Sequence, residues 1–100
     1  MRGEGDEIAH LIGERIRELR KERGLNQEEI SYRAGLHRTE ISQLERGLRL
    51  PRIDTLIKVA ASLVENLEEL VGRLVWNPGE YRAGGFTVRA RQEAEGGESR

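Results

Sequence analysis

Cysteine is absent from this chain of 100 residues, and aromatic residues are few, with one Trp, two Tyr and one Phe. Without cysteine there is no disulfide and no thiolate metal site, and a reducing cytoplasm is the simplest location. No apolar run approaches the roughly 20 residues that cross a bilayer, and the opening MRGEGDEIAH lacks the apolar stretch of a signal peptide. The composition predicts a soluble cytoplasmic protein, without a membrane partner, of single-domain length.

A large excess of charge of either sign is also absent, because the net charge is −1. The charge is nevertheless uneven along the chain. Residues 14–52 hold ten bases and seven acids, a balance of +3, whereas residues 1–13 and residues 53–100 each have a balance of −2. A basic patch of this modest size is by itself more typical of a solvated face than of a DNA-binding surface.

Apolar residues that recur at spacings of three and four predict five helices. The predicted ranges are 7–23 for helix 1, 27–34 for helix 2, 38–47 for helix 3, 53–63 for helix 4 and 67–74 for helix 5. Asn26 with Glu29, and Asn66 with Glu69, have the spacing of residues that cap a helix N-terminus. The bundle is expected to occupy residues 1–74.

The composition changes after Leu74, where glycine and proline replace the helical periodicity. FTVRAR at residues 86–91 alternates apolar and polar side chains like a strand, and a lone strand needs a partner. The preferred interpretation is that it pairs with, or exchanges into, a second subunit. The alternative is that it folds back on its own bundle, in a hairpin with LVW. Residues 75–91 therefore form a C-terminal extension for dimerisation, self-packing or a protein partner, and residues 92–100 are predicted to be a disordered tail.

Helices 2 and 3 are short and are joined through Gly35, so they must cross steeply, and Ser31 is small enough for the close contact. This pattern is typical of a helix-turn-helix. Ile41 and Leu44 define the inward face of helix 3. The side chains left on or near its exposed side are Arg38, Thr39, Ser42 and Gln43.

A helix fits the major groove of DNA, where Arg pairs with guanine, Gln pairs with adenine and Thr contacts the thymine methyl group. The four side chains on helix 3 are therefore candidate base contacts. The amide end of helix 2 beneath Gln27 is suited to a phosphate. Arg33, Arg46 and Arg49 are further candidate phosphate contacts, which would position the protein without reading sequence.

The motifs GLNQEEI, AGL and ISQLERG, and their spacing to the IDTLIKVA segment, resemble the phage-repressor family of helix-turn-helix domains, the Cro and lambda-repressor-like (xenobiotic-response-element) type. The resemblance covers residues 8 to about 74. It implies an all-α, five-helix bundle that binds operator DNA, usually as a two-fold dimer on a palindromic site. By position it implies that Gln27 contacts a phosphate, that Arg38, Thr39 and Gln43 face bases, and that Arg46 lies near the backbone.

The resemblance also implies a buried structural ion pair between Arg20 and Glu45. Three positions depart from the family pattern. Arg52 replaces a capping Ser or Thr before helix 4, and Val64 replaces a glycine after it, so that this turn must change its geometry or accept strain. Glu40 is expected on the DNA side of helix 3, where it would repel phosphates unless it pairs with cytosine, Arg33 or Arg38.

The sequence thus predicts a sequence-specific DNA-binding transcriptional regulator, a homodimeric repressor of a palindromic operator in double-stranded DNA. No cofactor, metal or catalytic residue is expected, because His10 and His37 lie in different elements with no nucleophile motif nearby. The alternative is a protein-interaction module, such as an antitoxin or a bridging factor, that also binds DNA.

Overall fold

The computed structural model describes residues 4–79 and 84–89, in which five helices precede one two-stranded antiparallel sheet. The elements are α1 Glu4–Glu22, α2 Gln27–Ala34, α3 Arg38–Glu45, α4 Ile53–Ser62, α5 Leu67–Val71, β1 Leu74–Asn77 and β2 Gly85–Val88. The predicted all-α class with five helices is confirmed. α1 begins three residues before its predicted start, and α3 ends at Glu45 and not at Gly47.

The core lies between α1, α3, α2 and α4. α1 packs on α3, α2 packs on both α3 and α4, and α5 closes the bundle against α4 and α1. The largest fully buried side chains are Ile16, Ile30, Ile41, Val59 and Leu63. The first four are on the apolar faces of their helices, and Leu63 directly follows the last residue of α4, so the spacing of three and four residues accounts for the packing.

The start of α2 and the turn to α3 follow from local chemistry. Asn26 Oδ1 accepts a hydrogen bond from Glu29 N at 2.8 Å, and Glu29 Oε1 accepts one from Asn26 N at 2.8 Å, so the predicted cap is confirmed. Gly35 ends α2 with φ 70°. Ser31 on α2 is 6% exposed, and its hydroxyl donates to Glu28 O.

Two other predictions about caps have different outcomes. Arg52 precedes α4 without a side-chain capping bond, as its side-chain type predicted. The predicted cap by Asn66 and Glu69 is wrong, because Asn66 makes no side-chain capping bond. The Glu69 carboxylate instead accepts from Arg15 Nη2 at 3.3 Å.

The chain after α5 forms a hairpin within the subunit. β1 pairs with β2 in a register that places Leu74 opposite Val88 and Trp76 opposite Phe86. The rings of Trp76 and Phe86 meet edge to face, with centroids 4.9 Å apart. The strand expected at residues 86–91 therefore pairs with the LVW segment, and residues 90–100 lie outside the described residues. The prediction that Leu74 belongs to helix 5 is wrong, because this residue opens β1.

α4 ends in a turn that normally contains glycine. Glu65 N donates to Ala60 O at 2.9 Å and Val64 N donates to Ala61 O at 3.0 Å, which is the pair of bonds of a Schellman motif. Val64 occupies the left-handed position with φ 59°, and among the described residues it is the only non-glycine with a positive φ. The corresponding turns after α1, α2 and α3 use Gly24, Gly35 and Gly47. The backbone at Val64 is therefore strained, which is one of the two outcomes that the sequence allowed for this turn.

Val64→Gly is expected to raise the free energy of unfolding by about 1 kcal/mol, because relief of the left-handed strain exceeds the added chain entropy of glycine. For a domain of this size the melting temperature rises by about 4–8 °C. Thermal unfolding at low protein concentration measures it. Gly24→Val is the matched reverse change, since nothing lies within 4 Å of the added Cβ, and it is expected to destabilise. A lower melting temperature for Val64→Gly would contradict the account of strain.

Candidate nucleic-acid interface

α3 presents one polar side to solvent. Ile41 and Leu44 are buried, so α3 is held against the bundle by its apolar face. Arg38 and Thr39 are exposed in the first turn. Ser42 and Gln43, one turn later, are half-buried. All four predicted base contacts therefore belong to one helix, with the first turn the most accessible.

Two of these four side chains have a neighbour that also belongs to the predicted site. Arg38 Nη1 donates to Gln27 Oε1 at 3.3 Å, which joins the first turn of α3 to the first residue of α2. Arg49 Nη1, from the segment after α3, donates to Gln43 Oε1 at 3.2 Å. The structure thus brings Gln27 and Arg49 beside α3, although they are 11 and 6 residues distant from their partners in sequence.

The remaining predicted phosphate contacts lie in different surroundings. Arg46 is exposed at the C-terminal end of α3, where its Nε donates to Ser42 O at 3.4 Å. Arg33 Nη1 donates to Ser62 O at 3.2 Å, at the last residue of α4. This bond draws the Arg33 guanidinium toward the packing of α2 on α4.

The Glu40 carboxylate caps its own helix. Its Oε1 accepts from His37 N at 3.0 Å, and the side chain is half-buried. A carboxylate in the first turn interacts favourably with the helix dipole. The Glu40 carboxylate pairs with this backbone amide, and the two arginines that the sequence allowed as its partners, Arg33 and Arg38, donate instead to Ser62 O and Gln27 Oε1.

Behind the exposed side of α3 lies a buried carboxylate. Glu45, whose side chain is 3% exposed, accepts from Arg20 Nε at 2.6 Å and from Arg20 Nη2 at 3.0 Å. Arg20 Nη1 also donates to Leu25 O at 2.9 Å. The hydrogen bond to Glu45 raises the pKa of Arg20 above its ordinary value, although burial opposes the rise. The ion pair joins α1 to α3.

Gln27 extends this network to the surface. Its Nε2 donates to Glu45 Oε1 at 3.1 Å, so its Oε1 faces the other way and accepts from Arg38. The buried carboxylate therefore orients an amide that contacts a candidate base-reading residue. An open cleft at the start of α2 is lined by Arg20, Asn26, Gln27, Glu28 and Arg38.

The sequence did not indicate the bond from Gln27 to Glu45, which joins residues 18 apart. It also missed Gly13, where an added Cβ would lie 2.1 Å from Leu44 O. The available signal for Gly13 was a glycine inside a helix, which usually has a packing reason.

Within the described ranges, none of the helices has the length and apolar content of a membrane span. No cluster of three or more His, Cys, Asp or Glu that could hold a metal ion occurs in residues 4–79 and 84–89.

The geometry of α2 and α3 defines a helix-turn-helix domain whose second helix exposes polar side chains. A model of the Helix-turn-helix family matches residues 16–70, which is more than half of the chain. The chain belongs to this helix-turn-helix family. It is a DNA-binding transcriptional regulator.

Two curated proteins and one solved structure illustrate the relationship. The chain is 40% identical over 65 residues to an uncharacterized HTH-type transcriptional regulator, y4dJ, of Sinorhizobium fredii, with 65% of this chain and 84% of that protein covered. It is 36% identical over 61 residues to the immunity repressor protein of Bacillus phage phi105, with 61% of this chain and 42% of that protein covered. The crystal structure of the restriction-modification controller protein C.AhdI from Aeromonas hydrophila is similar, with TM-score 0.61 and 35% identity, covering 62% of this chain and 94% of that one.

Proposed function

We propose that this regulator recognises a specific operator by placing α3 in the major groove, with the start of α2 on the phosphate backbone. The observation that supports this most is the contact of Arg38 with Gln27, which joins the exposed first turn of α3 to the first residue of α2. A recognition helix and a neighbouring helix N-terminus in this arrangement can contact base edges and a phosphate together.

In this proposal the base contacts come from Arg38, Thr39, Ser42 and Gln43. The phosphate contacts come from Gln27, Arg46 and Arg49. Arg33 is left out, because its guanidinium donates to Ser62 O and contributes to the packing of α2 on α4. Each arginine that neutralises a phosphate releases counterions, so affinity is expected to fall steeply as salt rises.

We further propose that the chain acts in the cytoplasm as a homodimeric repressor, which occupies a palindromic operator and needs no cofactor. One short recognition helix reads few base pairs, whereas a two-fold dimer reads two half-sites with the same residues. The similarity to a phage protein named as an immunity repressor supports repression, and not activation, of transcription. Selection of bound sequences from random DNA identifies the operator, and its symmetry tests the dimer.

Arg38→Ala and Gln43→Ala are each expected to weaken binding to the selected operator by about 1–3 kcal/mol, because each removes a base contact. Discrimination at one base position should fall with each substitution. Arg46→Ala is the contrasting variant, since loss of a phosphate contact weakens binding evenly on all sequences and lowers the salt slope by about 1. The measurement is fluorescence anisotropy titration of operator and mismatched duplexes at several salt concentrations.

Arg17→Ala is the matched control, because Arg17 is an exposed arginine on α1 outside the proposed surface. It should leave the discrimination between bases unchanged. If Arg38→Ala and Gln43→Ala each cost less than about 1 kcal/mol on the selected operator, α3 does not read bases in the proposed way.

A further inference from the structure

The side-chain amide of Gln43 on α3 has an accepting end and a donating end, and the structure occupies only the accepting one. Its Oε1 accepts a hydrogen bond from Arg49 Nη1 at 3.2 Å. Because a guanidinium carries only donors, the oxygen of the amide, and not its nitrogen, must face Arg49. Within residues 4–79 and 84–89, no atom accepts a hydrogen bond from Gln43 Nε2. Gln43 therefore offers a free donor on the polar side of α3.

The turn after α3 brings the chain back to Gln43. Leu48 N donates to Gln43 O at 3.0 Å, and Gly47 N donates to Leu44 O at 3.0 Å, which is again a Schellman motif. Gly47 has φ 71°, and an added Cβ would lie 2.8 Å from a backbone atom of α1. Because this turn packs closely on a neighbouring helix, the position of Arg49 beside Gln43 is part of the fold.

The Arg49 guanidinium keeps donors for a second partner. Gln43 is its only hydrogen-bond or ion-pair partner among the described residues. Arg49 is exposed, so its other N–H groups can contact a phosphate, as in the proposed function. Gln27 differs, because both ends of its amide already have partners, Glu45 and Arg38. Arg49 can thus join the DNA backbone to an amide whose other end faces a base.

The free end of Gln43 determines which base it fits. A glutamine reads adenine with both ends of its amide, because the oxygen accepts from N6 and the nitrogen donates to N7. The oxygen of Gln43 has a second lone pair, but the partly positive amino group of adenine would there approach the positive guanidinium. Guanine presents N7 and O6, which are both acceptors. Its edge therefore matches a donor that lies next to a cation.

We infer that Arg49 is a positioning residue, which makes Gln43 a donor and so makes it read guanine in preference to adenine. The inference rests on the base reading that the proposed function assigns to α3, and it names the base. The base pair concerned is the one at which Gln43→Ala loses discrimination. There the wild-type chain should bind the guanine duplex about tenfold or more tightly than the adenine duplex, the effect of one well-placed base contact.

Arg49→Ala should shift this preference toward adenine. Without the guanidinium, Gln43 Oε1 can accept from adenine N6, so the ratio of the two dissociation constants should change by about tenfold. Arg46→Ala is the matched control, because Arg46 is another exposed arginine that the proposed function places on a phosphate. It should weaken both complexes equally and leave the ratio unchanged. Fluorescence anisotropy titration of duplexes that carry each base at this position measures the ratios.

Gln43→Glu tests the donating end directly. A carboxylate can keep the bond from Arg49, but both of its oxygens are acceptors. The preference should therefore move from guanine to cytosine, whose N4 is a donor. A preference for guanine that survives Gln43→Glu overturns the inference.

Two further results overturn it, namely a wild-type preference for adenine at this position and a ratio that Arg49→Ala leaves unchanged. In either case base reading by α3 still stands, provided that Gln43→Ala loses discrimination at a base pair. If Gln43→Ala loses discrimination at no position, the proposed base reading by Gln43 is itself wrong, and the inference fails with it.

Discussion

Glu45→Ala is expected to lower the free energy of unfolding by about 3–5 kcal/mol, because removal of one partner leaves the other charge buried and uncompensated. Glu45 accepts all of its described bonds from Arg20 and Gln27, and its side chain is 3% exposed. Without the carboxylate, the Arg20 guanidinium, 13% exposed, keeps only the bond to Leu25 O among those described. Urea denaturation followed by circular dichroism measures the loss.

Two variants show whether the loss comes from the buried charge. Glu14→Ala is the matched control, because Glu14 is 63% exposed and its only described partner is His10, so the expected change is below about 1 kcal/mol. The double substitution Arg20→Met with Glu45→Leu should cost less than Glu45→Ala, since it removes both charges together. A double variant as unstable as the single one would contradict this explanation.

Gly13→Ala is expected to lower the free energy of unfolding by about 2–3 kcal/mol, the upper range for overpacking a core. The added Cβ would lie 2.1 Å from Leu44 O and 2.9 Å from Glu45 O. Both atoms belong to the backbone of α3, so a side-chain rotation cannot relieve the clash and α1 must move away from α3. That movement would also stretch the pair of Arg20 with Glu45. Thermal and urea denaturation measure the effect.

Gly5→Ala is the matched control in the same helix. Its Cβ would lie 3.9 Å from the nearest atom, a side-chain carbon of Leu50, which is an ordinary contact. Because alanine favours helix more than glycine does, Gly5→Ala should be neutral or stabilising by up to about 1 kcal/mol. If both glycine substitutions stabilise the chain, the close approach of α1 to α3 at Gly13 is wrong.

Those features of the fold that depend on residues close together in the chain could be predicted from the sequence. The apolar spacing of α2 and α3, the reciprocal bonds of Asn26 with Glu29 and the left-handed Gly35 each involve residues within four positions. The exposure of Arg38 and Thr39 follows, because the buried faces of Ile41 and Leu44 determine the opposite side of the helix. Helical periodicity is sufficient for such inferences.

The same reasoning failed at Leu74. Its spacing from Leu67, Leu70 and Val71 fits one face of a helix, and the chain is indeed helical as far as Val71. Leu74 instead pairs with Val88, 14 residues later in the sequence. A short apolar run is compatible with either structure, and only pairing with a distant segment decides between them.

The sequence by itself determined the five helices, the helix-turn-helix and the face of α3 that meets solvent, since short-range periodicity and turn chemistry specify them. Only the tertiary structure decided which partner each long polar side chain takes. It assigns Arg33 to Ser62 O, Glu40 to His37 N, and Gln27 to both Glu45 and Arg38. These side chains can reach several groups, and the packing of the helices determines which of those groups lies within hydrogen-bonding distance.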